Sequence, residues 1–161
     1  MKMMIGRQPS FIKLASDIIQ TKEYKKMKLY RQHGTTSAYH HCLAVAYISF
    51  RISRALHLGC NERSLVRGAL LHDFFLYDWH TPGHRNHAFL HPLIACKNAE
   101  KAYTLTSRER DIITKHMFPI SRGLPRYRES YLVSAGDKIC TLIEFVSKFR
   151  KTKTAYRFLL R

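Results

Sequence analysis

LLHDFFLYDWH, residues 70–80, decides how this chain is read, because an apolar run there carries His72 and Asp73 side by side near its middle. Burying an imidazole and a carboxylate is costly unless other groups pair with them. The partners must therefore come from elsewhere in the chain, and working outward shows helices on both sides. Asn61 is placed to cap a helix over residues 62–75 that ends in the His-Asp pair. Before it, SAYHHCLAVAYISFRISRALH at 37–57 sets apolar groups at helical spacing, and residues 10–30 put Phe11, Leu14, Ile18 and Ile19 on one face after a Pro-Ser start. After it, Thr106 and Glu109 form a capping box for a helix running through about residue 117, and a long amphipathic helix spans about 127–149. YDWHTPGHRNHAF and FPISRGLPRY read as polar loops, and strand alternation is nowhere convincing. The expected class is all-α.

Composition sets the outer limits. A chain of 161 residues, 45% hydrophobic with only 7 Gly and 5 Pro, is sized for one domain with a real core. No apolar stretch approaches the roughly 18 residues needed to span a bilayer, and the start MKMMIGRQPSF lacks the apolar core of a secretory signal. A soluble, cytoplasmic protein is expected. Cys42, Cys60, Cys96 and Cys140 are scattered without CxxC spacing, which favours buried free thiols over disulfides or a thiolate zinc site. The net charge is +17, from 28 Lys and Arg against 11 Asp and Glu. Residues 1–31 carry 8 basic and 2 acidic groups and residues 138–161 carry 7 and 1, so the ends hold most of the excess. Basic ends attract polyanions such as nucleic acid, although no RNA-binding signature or zinc-finger spacing accompanies them.

The buried pair finds its partners in residues that share its chemistry. His41 lies four residues before Val45 and shares its inward face; His116 follows Ile112 and Ile113 by one turn; Asp137 sits in SAGDKIC inside the last helix. Neutral imidazoles and carboxylates that converge from different helices can neutralise one another in a bundle core by holding a metal ion.

These residues resemble the HD superfamily of metal-dependent phosphohydrolases. The likeness lies in HCLAVA at 41–46, GALLHDFF at 68–75 and SAGDK at 134–138, and covers roughly residues 32–145. FLHPLIA at 89–95 and ITKHMFP at 113–119 resemble the extra histidines of binuclear members, while no GYP motif is present, so cleavage of cyclic di-GMP is not supported. The resemblance implies a single HD-type helical bundle over 1–161, with basic N- and C-terminal helices packed around its core. It also implies that His41, His72, Asp73 and Asp137 hold one metal, with Asp73 bridging to a second held by His91 and His116. A carboxylate has two oxygens and links two cations, whereas a neutral imidazole gives one nitrogen to one ion. Two metals can clamp a phosphoryl group and lower the pKa of a shared water toward neutrality, so no Ser or Cys nucleophile is required. An imidazole-rich, thiolate-free set suits Fe, Mn, Co, Ni or Zn better than Mg or Ca.

Asp73 and Lys138 are the catalytic candidates, and His87, Arg122 and Lys138 the expected substrate contacts. His87 precedes His91 by one turn and is the alternative ligand, but His-Pro before an apolar run favours His91. His40 points about 100° from His41 and is expected at the surface. Lys115 and Arg126 also flank the proposed ligands. His33 is expected at the surface, His80 and His84 in a loop at the pocket mouth, and Trp79 and Tyr77 in packing rather than base stacking. Three functions compete: a binuclear phosphohydrolase acting on a nucleotide or other small phosphate ester or anhydride; a single-metal nucleoside monophosphate phosphatase; and a non-catalytic nucleic-acid-binding or regulatory protein with a structural metal.

Overall fold

The computed structural model describes residues 9–34, 36–82, 86–121 and 123–149. Over these the chain is helical apart from one small hairpin, as expected for an all-α bundle of the HD type. The helices are α1 (Pro9–Ile19), α2 (Lys22–Lys25), α3 (Ala38–Ala55), α4 (Glu62–Leu71), α5 (His87–Ala102), α6 (Ser107–Lys115) and α7 (Arg128–Phe149), with a 3-10 turn at Lys26–Leu29. The basic segments 1–8 and 150–161 lie outside the described residues.

Three expectations are corrected. The helix expected over 10–30 is broken at Thr21, whose extended backbone (φ −69°, ψ 150°) lets its hydroxyl accept from the Tyr24 amide and cap α2. An antiparallel hairpin, β1 (Arg31–His33) with β2 (Thr36–Ser37), turns through Gly34 at φ 57°; two cross-strand pairs, Arg31 with Ser37 and His33 with Thr36, are too few to show alternation. The helix expected over 62–75 stops at Leu71, so His72 and Asp73 follow α4 rather than sit within it. Asn61 does cap α4, its side chain accepting from the Ser64 amide, and Thr106 with Glu109 closes both bonds of the capping box on α6.

Helix α3 lies at the centre, packed on α4 and α7, while α4 also meets α1 and α6, and α6 meets α5 and α7. Its sequence suits that position: Cys42 through Tyr47 are all buried, a stretch of nearly two turns without a wet face. Cys42, Cys96 and Cys140 are buried thiols and Cys60 is half-buried. Two glycines bring the helices close. A Cβ on Gly68 would stand 2.6 Å from Ile112 Cδ1 across the α4–α6 contact, and one on Gly136 would stand 2.5 Å from Ser49 Oγ across the α3–α7 contact. The start of α7 is tied down by carboxylates. Asp111 Oδ2 accepts from the Arg126 and Tyr127 amides and the Ser130 hydroxyl (2.9, 3.3 and 2.6 Å), and Glu129 accepts from the Asn61 amide at 2.7 Å. Past Asp73, Asn98 donates to the carbonyls of Phe74 and Phe75, and Leu76 takes a left-handed turn at φ 58°.

Candidate metal centre

The ends and faces that this packing brings together are those that carry the expected ligands. His41 comes from the first turn of α3, His72 and Asp73 from the exit of α4, His91 from the second turn of α5, His116 from the exit of α6 and Asp137 from the middle of α7. His41 and His72 are fully buried, and Asp73, His91, His116 and Asp137 are nearly so. Three overlapping groups (His41, His72 and Asp73; His72, His116 and Asp137; Asp73, His91 and His116) each hold their ligand atoms within 4.8 Å of one another, close enough to hold a metal ion.

Main-chain carbonyls set the tautomers. Nδ1 of His72 donates to Ala69 O at 2.7 Å, that of His91 to His87 O at 2.8 Å and that of His116 to Ile113 O at 2.8 Å. A carbonyl only accepts, so each of these rings carries a hydrogen on Nδ1 and, while neutral, turns a lone pair on Nε2 toward Asp73. Neutral rings so placed have no hydrogen on Nε2 to share. His72 Nε2 and Asp73 Oδ1 are buried without a hydrogen-bond partner, and the Nε2 atoms of His91 and His116 face each other at 2.8 Å. Buried acceptors in that arrangement repel unless a cation joins them. The donor set therefore fits a divalent metal.

Asp73 divides its oxygens. Oδ2 lies 3.3 Å from His72 Nε2 and 3.9 Å from His41 Nε2, while Oδ1 lies 3.2 Å from His91 Nε2 and 3.6 Å from His116 Nε2. Asp137 Oδ1 is 3.0 Å from His41 Nε2 and 3.8 Å from His72 Nε2. Without a metal, protons fill the same demand for positive charge. Burial lowers the pKa of His41, but hydrogen bonds to Asp137 and Glu144 outweigh it and lift the group to about 10. Asp137, opposed by its own burial, is held at about 2 by His41. His116 goes the other way, to about 3, through burial and the neighbouring His72.

Two supporting residues were not expected from the sequence. Glu144 Oε1 accepts from His41 Nδ1 at 2.8 Å, and Gln32 on β1 donates through Nε2 to Asp73 Oδ2 at 2.5 Å. Glu144 follows Asp137 by two helical turns on the same face, a spacing that was available to find it. Gln32 gave no such signal.

Above the cluster opens a cavity of about 940 Å³ whose floor includes Asp73, His91, His116 and Asp137. His87 lines it but stays outside the ligand cluster: its ring stacks on His91 and Trp79 (centroids 4.6 and 4.9 Å) and bonds the Tyr77 hydroxyl at 2.7 Å. Trp79 and Tyr77 are thus packed, and Trp79 also walls the cavity. Lys138 lines it too, its Nζ donating to Ser134 Oγ at 2.7 Å. His40 is half-buried rather than at the surface, bonded to Ser37, and His80 pairs with Asp78. Arg122 and His84, with the side chain of His33, lie outside the described residues.

An α-helical bundle whose central helices converge on a buried His/Asp cluster able to hold metal defines the class. Residues 38–142 match the family model of the HD domain, and the chain belongs to that family. The family includes metal-dependent phosphohydrolases. No curated protein and no solved structure matches the chain. No helix among the described residues is long and apolar enough to cross a membrane.

Proposed function

We propose that this chain is a metal-dependent phosphohydrolase that cleaves a small phosphate ester or anhydride, with His41, His72, Asp73 and Asp137 holding one divalent metal and Asp73, His91 and His116 a second. The observation that carries this reading is the split of Asp73, one oxygen toward His72 and His41 and the other toward His91 and His116. That is the disposition of a bridging carboxylate. A metal held by these residues would supply a water acidified toward neutrality and a shield for phosphoryl charge. The protein's own residues orient and hold. The carbonyls of Ala69, His87 and Ile113 fix three imidazoles with Nε2 inward, and Glu144 receives the Nδ1 hydrogen of His41. Gln32 steadies Asp73 through Oδ2, the oxygen on the His72 and His41 side. Lys138, one residue past Asp137, sets an ammonium on the cavity wall where phosphate oxygens would lie.

Metal content and turnover test the proposal together, on a panel of phosphomonoesters, dinucleoside polyphosphates and cyclic dinucleotides with several divalent metals. Elemental analysis should give about two metals per chain, falling toward one in His91→Ala or His116→Ala with a loss of orders of magnitude in activity. Asp73→Ala should strip metal and abolish hydrolysis, and His40→Ala should change little. One metal in the wild type, kept by both histidine variants at near-normal turnover, would instead identify a single-metal phosphatase. Bound metal with no hydrolysis across the panel would leave a structural site.

A further inference from the structure

The cavity walls say what kind of phosphate the site takes. Met117, Ile120, Leu142 and Phe145 line the cavity together with Trp79, and Ile120 and Leu142 are 52% and 63% exposed. Large apolar side chains so exposed beside a polar floor are costly to maintain unless a ligand covers them. The volume, about 940 Å³, is at the upper end of small-molecule sites, so a phosphoryl group on the floor fills only a small part of it. Lys138 lines the cavity beside Asp137, placing an ammonium where it can meet a phosphoryl group bound on the floor.

We infer that the substrate is an amphiphilic organic phosphate, with a phosphoryl group at the Asp73 cluster and an alkyl or aryl body lying along Met117, Ile120, Leu142 and Phe145. This narrows the phosphohydrolase reading and rests on it, but its binding half is measurable without turnover.

Calorimetry of the metal-loaded protein with methyl-, butyl-, hexyl- and octylphosphonate, none of which is hydrolysed, should show affinity rising roughly three- to fourfold per methylene that reaches the wall. The slope should flatten in Ile120→Ser and Phe145→Ser. It should persist in Leu93→Ser, which is equally exposed and lies outside the cavity. An affinity independent of chain length, a slope untouched by the wall variants, or tighter binding of AMP than of octylphosphonate would overturn the inference. So would binding seen only with phosphatidic acid vesicles and not with free octylphosphonate. The matching alkyl phosphates, assayed for released phosphate, separate the two claims: a rising affinity series without hydrolysis of any member overturns the phosphohydrolase and leaves an amphiphile-binding site, whereas hydrolysis with a flat series does the reverse.

Discussion

His41 differs from the other three imidazoles in the way it is held. Their Nδ1 hydrogens go to carbonyls within four residues on the same helix or its exit, whereas that of His41 goes to a carboxylate more than a hundred residues away. A carboxylate partner makes an imidazole more basic and a stronger ligand, and such partners set metal affinity by about 10- to 100-fold. Glu144→Ala should therefore weaken metal binding by that order in a chelator competition, and Glu144→Gln, whose amide oxygen still accepts from Nδ1, should fall between it and the wild type. Unchanged affinity in both would show that Glu144 merely fills space. Local partners of this kind were legible in the sequence only in part. The residues of the His/Asp cluster announced themselves by residue type and by their likeness to family motifs, but a bond from Gln32 to Asp73 depends on how a hairpin returns to the core, and no local pattern encodes that.

At the scale of helices, the geometry of the cluster depends on how closely α7 approaches α3. Gly136 stands next to Asp137, and the 2.5 Å that a Cβ there would leave to Ser49 Oγ is too short for any real contact. Gly136→Ala should destabilise the fold by about 1–3 kcal/mol, the usual cost of overpacking, and should loosen metal binding because Asp137 moves with the helix. Its other neighbours, Val45 O at 3.7 Å and Ser49 Cβ at 3.8 Å, are ordinary contacts. Removing the hydroxyl should thus repair the damage: the double variant Ser49→Ala, Gly136→Ala should melt within a degree or two of Ser49→Ala alone. If the two losses simply add, the contact is not what limits the approach. Helix starts were the most legible elements, since Asn61 and the Thr106–Glu109 box are local chemistry. Helix ends were not: α4 stops at Leu71 although the apolar run continues, because Phe74 and Phe75 hand their carbonyls to Asn98 on α5. The break at Thr21 likewise opposes an uninterrupted apolar face.

For the molecule as a whole, the six proposed ligands come from α3, α5 and α7 and from the exits of α4 and α6, so metal and fold should stabilise each other and chelation should lower the melting temperature by several degrees. The effect has a definite dependence on pH. His41 in the metal-free protein has its pKa raised to about 10, above the ordinary 6.5, so its proton contributes stability that is present in full below pH 6.5 and lost as pH rises toward 10. His116 is lowered to about 3, so it stays neutral in the fold while the unfolded chain takes up a proton below 6.5, and stability falls as pH drops from 6.5 toward 3. The chelated protein should thus be most stable near pH 6.5 and weaken on both sides. Metal reverses the alkaline limb, because it replaces the proton on His41 and competes better as protons become scarce. Melts recorded with and without chelator from pH 6 to 9 should show a gap that widens with pH. A gap that is constant or narrows over this range would mean that the cation does not take the place of the His41 proton, and that the cluster holds its charges by protonation alone.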